Sequence, residues 1–564
     1  MKCLSKLSLS KQGWLAFCCA VLVGPLPAFA QTPAAGQGQI GKPVAILSVA
    51  SIKENLADFG YLSRVAGMDD AGKSALFFAS ALTAGLDKER PIGMYIVPKG
   101  GDFHGIAFVP VSDLKVLLEV QKEYLGTPKD VGDGILEIGT DKKAFLKERA
   151  GWAFVSENKE MLADLPADPL TVLGDLPKNY NVAVKLIVQN VPVELRKMGI
   201  DQLKFGMERG LNVPGAGLDK KGGEQFAKMW LGNIERLMEE LDELTIGIGI
   251  NADKKHLVLD VKVAAKEGTA QARQMAMQVG NKTQFGGLLL PDASVTFSAS
   301  NRAGPEDLAQ VGPAMKATRE MWSKQIDDSP DVPADKRESY KRVLNQLIDV
   351  VEKTANTGKT DIAGAIMLLP KSVAFVAGAY VADGPGLEKV LKDAYALAKG
   401  RPNMPAVQFD AGSIGDVKLH RITAPVPERE PEARQLLGDK LEVLVGIGPQ
   451  SVVVSGGKDA EALLKKVLEA SATDTEHVVP PFQLNVSLLS ILKFYRSVDN
   501  NPAVGPVLAQ LEQSGNDRVN ITSVAGPRET ATRIEIQEGL FQAAGGIFKA
   551  VGQGMQPRGK AKRQ

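Results

Sequence analysis

Leu244-Thr245-Ile246-Gly247-Ile248-Gly249-Ile250, then Asn251-Ala252-Asp253, then Leu257-Val258-Leu259-Asp260-Val261-Lys262-Val263, decides the fold class. Leu244, Ile246, Ile248 and Ile250 fall on one side of an extended chain. Thr245, Gly247 and Gly249 fall on the other, and the second run alternates in the same way. Side chains of a strand point to opposite faces with period two, so each strand presents one greasy and one lighter face. The Asn-Ala-Asp segment supplies the turn. A half-buried hairpin of this kind belongs to an antiparallel sheet, because parallel strands covered on both faces read as continuous apolar runs.

The same plan recurs outward from this hairpin. Val519 to Val524, a Gly526-Pro527-Arg528 turn and Thr532 to Ile536 repeat it near the other end. Four segments open with a strand: Pro43–Val49, Val182–Val188, Ala293–Ser298 and Phe482–Leu488. Helical sequence follows each, then two more strands and a further helix. The first and third units match most closely. Gly93–Lys99 parallels Gly364–Lys371. Phe108-Val109 with the Leu114–Leu118 helix parallels Tyr380-Val381 with the Leu387–Leu391 helix. Ala153-Phe154-Val155-Ser156 parallels Val452-Val453-Val454-Ser455.

This pattern predicts an α+β protein of two homologous halves, 43–286 and 287–553. Each half has mostly antiparallel sheets with helices packed on one face, in ferredoxin-like strand-helix-strand-strand-helix-strand units. Two inserts, Gly210–Gly223 and Asp327–Pro333, read as connections between helices. The stripe Phe226, Met229, Leu231, Ile234, Leu237, Met238 and Leu241 reads as an apolar helix face.

The ends of the sequence point to export. Lys2, Lys6 and Lys11 precede an apolar stretch from Trp14 to Val23, and Ala28-Phe29-Ala30 offers a cleavage site after Ala30. Residues 1–30 therefore read as a signal peptide and 31–42 as a linker. The apolar run is too short to span a bilayer, and Gly24, Pro25 and Pro27 interrupt it. Phe17 before Cys18 argues against lipidation. All three cysteines, Cys3, Cys18 and Cys19, lie in this leader. The mature chain then has no disulfide, thiolate metal site or cysteine nucleophile, and must hold together by burial.

The chain has 67 basic and 66 acidic residues. With the three leader lysines set aside, acids outnumber bases by two. That balance lacks the field of a nucleic-acid binder. Residues 554–564 read as a basic disordered tail. Arg558, Lys560, Lys562 and Arg563 offer at most weak contact with an anionic surface.

Few residues suggest chemistry. Gly67-Met68-Asp69-Asp70-Ala71-Gly72-Lys73-Ser74 fits the phosphate-loop pattern formally. Such a loop needs a buried strand before it, and Leu56–Ala66 reads as an amphipathic helix instead. The expected structure is a helix-turn-helix connector. Ser156 and Ser455 read as N-caps of leucine-rich helices. The four histidines, His104, His256, His420 and His477, show no helical metal spacing, and no cofactor or metal is expected. There is no Gly-x-Ser-x-Gly elbow. The acid pairs Asp69-Asp70 and Asp327-Asp328 lie in turn-like sequence. Trp152, Trp230 and Trp322 are a thin supply of aromatic platforms. Leu540 to Val551 reads as an amphipathic helix that packs on its own unit.

The runs Asp58–Gly67, Gly85–Gly93 and Gly151–Ser156 resemble a family of uncharacterised exported proteins from planctomycete-type bacteria. The resemblance covers nearly the whole mature chain. It implies export and the duplicated architecture, and brings no reaction, cofactor or catalytic residue.

The expected role is an exported periplasmic or envelope-associated binding or scaffolding protein, not an enzyme. Its partner, an envelope component or small ligand, would meet an exposed sheet face or the crevice between halves. One alternative is a hydrolase of a cell-envelope polymer, using scattered acids or a serine with His104, His256 or His420. The other is a lipid carrier with a continuous apolar cavity.

Overall fold

The computed structural model describes residues 41–140, 142–211, 236, 238–330, 332–400, 404–474, 477–499 and 504–554. The expected leader with Cys3, Cys18 and Cys19, most of the Gly210–Gly223 insert, Phe226 to Ile234, and the expected basic tail lie outside these residues. The chain divides into two compact units, Met1–Lys266 and Glu267–Gln564. Both mix helices with antiparallel sheet.

In the first unit the strands are β1 (Ala45–Val49), β2 (Ile92–Lys99), β3 (Asp102–Pro110), β4 (Lys129–Asp130), β5 (Ile135–Ile138), β6 (Ala144–Arg149), β7 (Trp152–Ser156), β8 (Val182–Ile187), β9 (Leu241–Asn251) and β10 (His256–Ala265). They pair in the order β10-β9-β8-β1-β2-β3-β7-β6-β5-β4, every ladder antiparallel. The helices used below are α1 (Ile52–Val65), α2 (Asp69–Leu82) and α3 (Val193–Leu211).

The second unit begins with a small pair formed by β11 (Lys282–Thr283) and a later strand. Its main strands are β12 (Val295–Arg302), β13 (Lys359–Leu369), β14 (Ser372–Tyr380), β15 (Ala406–Ile414), β16 (Val417–Pro425), β17 (Lys440–Gly448) and β18 (Ser451–Gly457). After β19 (His477–Val478), the partner of β11, come β20 (Phe482–Ser487), β21 (Arg518–Ala525) and β22 (Glu529–Gln537). The main sheet runs β22-β21-β20-β12-β13-β14-β18-β17-β16-β15, again antiparallel throughout. Its helices are α4 (Pro305–Asp328), α5 (Arg337–Asn356), α6 (Gly384–Ala398), α7 (Ala460–Thr473), α8 (Leu488–Val498), α9 (Val504–Ser514) and α10 (Glu538–Gly554).

The two sheets have the same strand order, and their registers can be followed position by position. Ile46 pairs with Tyr95, which pairs with Ile106; Thr296 pairs with Ala365, which pairs with Val376. Val376 lies opposite Ser455, and Ile106 lies beside the end of β7 where Ser156 sits. Register counted through hydrogen bonds thus leads to the same Ser156–Ser455 correspondence as the sequence does.

Three expectations need correction. A split βαβ unit places a third strand between the two that flank its helix. Here β1 pairs directly with β2, and β12 with β13. Two helices in each connection, α1–α2 and α4–α5, bring the chain out and back, so the returning strand is an antiparallel neighbour. Helices also cover both sheet faces. In β16, Leu419 packs in the cluster with Leu464 and Val467 of α7, while the next residue, His420, faces Glu388 of α6. Both are buried, so each face needed a cover. Finally, Ser156 and Ser455 are strand residues, not caps. Ser156 Oγ donates to the Gly105 carbonyl at 2.9 Å, and Ser455 Oγ to the Ala460 carbonyl at 2.9 Å. Asn158 caps the short 3-10 turn that follows the first, where a leucine-rich helix was expected.

The units fill their cores from different sources. In the first, the strands themselves supply large rings: Tyr95, Phe108, Trp152 and Phe154 are all buried. Phe108 meets Trp152 edge-on at 5.6 Å. Arg90 lies 4.5 Å over Trp152 and donates to the Gly151 carbonyl, pinning the rim. In the second unit, register places Ala365 where Tyr95 stands and Gly378 where Phe108 stands. The space is taken by Phe285 and Leu288, both buried, from the segment before β12. A Cβ on Gly378 would come within 2.7 Å of the Phe285 ring. Close packing requires that a small residue in one place be met by a large one from another.

Candidate functional site

On β12, β20, β21 and β22, one sheet face of the second unit carries polar residues in register. Thr296 lies opposite Asn485, Asn485 opposite Asn520, and Asn520 opposite Glu535. Gln483 and Thr522 form the next row along β20 and β21. These side chains floor an open groove of about 550 Å³ walled by Leu289, Leu290 and Pro291. Arg518 anchors one end. Its guanidinium donates to Asn485 Oδ1 and, at 2.9 Å, to the Pro291 carbonyl. Asn485 Nδ2 donates in turn to Asn520 Oδ1. The arginine is thereby held in place, since two of its five donors are fixed. Among the described residues, the side chains of Glu535, Gln483, Thr296 and Thr522 have no hydrogen-bond partner. Glu535 is only partly exposed. A half-buried carboxylate without a donor is costly and favours any group that supplies one.

The equivalent face of the first unit is closed. Ile46 stands at the position of Thr296, Lys185 at Asn485, Thr245 at Asn520 and Lys262 at Glu535. Gly247 replaces Thr522, and the ring of Tyr180 lies against it, with carbons 2.5 Å from where a Cβ would be. Tyr180 is 5% exposed; its hydroxyl donates to Asp260 Oδ2 at 3.0 Å. Lys262 lies 5.7 Å over the same ring, and Lys185 pairs with Glu243 at 2.7 Å. Counting back from β8 and β20, Pro480 occupies the position of Tyr180, which leaves the second face uncovered.

A second cluster surrounds His420, which is fully buried. A bulge in β15 between Gln408 and Gly412 puts Asp410 in the left-handed region at φ 53°. The Asp410 backbone N–H donates to His420 Nδ1 at 3.2 Å. Nε2 therefore carries the ring proton of the neutral tautomer and points toward Glu388 Oε1, 3.9 Å away. Phe409 packs edge-on against His420 and Tyr395, with centroids 5.6 Å apart in both cases. Burial holds the His420 pKa below its ordinary value, opposed by Glu388 and Asp410. Lys392 donates to Glu388 Oε1 at 2.7 Å and Lys418 to Oε2 at 3.2 Å, which keeps the Glu388 carboxyl below its ordinary range.

Glu388, Asp410 and His420 offer ligand atoms within 4.8 Å of one another. They do not suit a cation. The His420 lone pair is spent on a backbone N–H, its other nitrogen is protonated, and two ammonium groups hold both oxygens of Glu388.

The other residues singled out in the sequence lie apart. His104 on β3 is 3.9 Å from Glu157, His256 begins β10, and half-buried His477 bonds Asp474 at 2.6 Å on the groove rim. Gly67–Ser74 is the turn between α1 and α2 and the start of α2. Exposed Lys73 lies 3.6 Å from Asp69. Asp69-Asp70 and Asp327-Asp328 are helix ends, not turns; Asp327 pairs with Lys341 at 2.7 Å. Trp152 is core and Trp322 is exposed on α4. The groove residues were not recognised in the sequence. Their signal was the run of polar residues on the alternate positions Gln483, Asn485 and Ser487, and Arg518, Asn520 and Thr522.

No helix of the described residues is long and apolar enough to cross a membrane. No family model, curated protein or solved structure matches this chain.

Proposed function

We propose that this chain is an exported periplasmic or envelope-associated binding protein, without catalysis, built from two homologous units, and that its ligand occupies the groove of the second. One observation carries this reading. Two sheets of the same strand order and register differ at one face, filled by Tyr180 in the first and left as a groove of about 550 Å³ in the second. That volume lies within the range of small-ligand sites. A duplicated unit that keeps its frame and opens one face has room to bind at that face. The leader with its Ala28-Phe29-Ala30 site supports export. The internal pairing of His420, whose Nδ1 accepts from the Asp410 backbone, favours binding over hydrolysis. The polar floor disfavours an acyl chain as ligand.

The test is mass spectrometry of small molecules co-purified with the full chain from its native envelope, with Thr522→Trp as the comparison. Tryptophan at the floor takes up groove volume while Arg518 and Glu535 are left unaltered. The expected result is a molecule retained by the unaltered protein and lost from the variant. The same molecule retained equally by both overturns the proposal.

A further inference from the structure

The groove has a chemistry that narrows its ligand, granted that it is the binding site. Glu535 is a half-buried carboxylate without a protein partner, so it is a ready acceptor for hydrogen-bond donors on a ligand. Asn520 Nδ2, the Gln483 amide and the hydroxyls of Thr296 and Thr522 offer donors and acceptors across neighbouring strands, which lie about 4.8 Å apart. Leu289, Leu290 and Pro291 form an apolar wall beside this floor.

Other classes fit poorly. The floor strands β20 and β21 are paired on both sides, so their backbones cannot add an extended peptide as a new strand. An acyl chain would leave Glu535, Gln483 and Asn520 desolvated and unpaired. An anion would meet the unpaired Glu535 carboxylate near an Arg518 already engaged by Asn485 and Pro291.

We infer that the groove takes a neutral or amine-bearing saccharide, with hydroxyls or the amine donating to Glu535, other hydroxyls accepting from Asn520 and Gln483, and the ring's C–H face against the Leu289–Pro291 wall. The site uses amide and hydroxyl recognition on a sheet face, with Arg518 as a fixed post.

The experiment is calorimetric titration of the full chain with maltotriose, chitotriose, the deacetylated chitosan trimer and trigalacturonate. The expected result is binding of at least one neutral or amino trisaccharide, weakened about tenfold or more by Glu535→Gln and abolished by Thr522→Trp. Trigalacturonate should bind more weakly than the neutral sugars. Circular dichroism of both variants should match the unaltered protein; Gln483→Ala is a second, milder probe with an expected several-fold loss. Absence of binding by all three uncharged or amino sugars overturns the inference, as does sugar binding that both substitutions leave unchanged. If no sugar binds but a co-purified peptide, lipid or anion is displaced by Thr522→Trp, the saccharide class falls while the binding-protein reading stands.

Discussion

The face around Tyr180 in the first unit and the face around Asn485 in the second share strand order and register but differ in what covers them. On the first, Gly247 makes room, Tyr180 fills it, and Asp260 and Lys262 hold the phenol from its hydroxyl and its ring. On the second, Thr522 occupies the glycine position and Pro480 the tyrosine position. A proline cannot supply the ring, and the polar rows stay open to solvent. The reverse exchange occurs deeper in the same sheets, where Phe108 gives way to Gly378 and Phe285 arrives from outside the strand. The frame is set by backbone pairing, and each face is then filled or left open by side chains from connecting segments.

That comparison is most directly broken at Phe285. If this ring replaces Phe108 as the core filler of the second unit, Phe285→Ala should cost about 3–5 kcal/mol, the usual range for a buried aromatic truncated to alanine. Urea unfolding followed by tryptophan-independent far-UV signal measures it. A loss under about 1 kcal/mol would mean the cavity is closed by other residues. Tyr180→Phe asks a narrower question, since it keeps the ring over Gly247 and removes only the donor to Asp260. The expected loss is about 1.5–3 kcal/mol, as for a hydrogen bond to a charged group. An unchanged midpoint would show that the ring alone closes the face.

The smallest effect concerns His420, which has no counterpart in the first unit's plan. Burial holds its folded-state pKa below the ordinary imidazole value of about 6.5. The unfolded chain therefore takes up a proton first as pH falls. His420 contributes stability that is fully present above pH 6.5 and is lost as pH falls from there toward the folded pKa. The slope from one proton is at most about 1.4 kcal/mol per pH unit. His420→Asn keeps an acceptor for the Asp410 N–H and cannot take the charge. Thermal unfolding between pH 7.5 and 5.5 should show a shallower decline for the variant. Parallel curves would place the acid sensitivity at groups other than His420.

Much of the fold was legible because its signals are local. The Leu244–Val263 alternation gave β9 and β10 within two or three residues at their outer ends. What failed depended on distance. The paired helices α1–α2 and α4–α5 turn each returning strand antiparallel, and no single window of sequence contains that information. Serine at a strand end next to helical sequence has the composition of a cap, and only the positions of Gly105 and Ala460 show where its hydroxyl goes. The groove was overlooked because its polar residues come from β12, β20, β21 and β22, none of which is unusual by itself. His420 looked like an isolated histidine because its partners on α6 and β15 meet it through packing and a bulge.

The sequence by itself determined the alternating strands and the absence of cysteine after Cys19, since period, turn chemistry and composition are properties of neighbouring residues. Tertiary structure alone decided which sheet face is sealed and which is open. Whether a face is filled depends on the volume that Tyr180, Phe285 or Pro480 brings from a different part of the chain, and packing, unlike periodicity, is settled only when those parts meet.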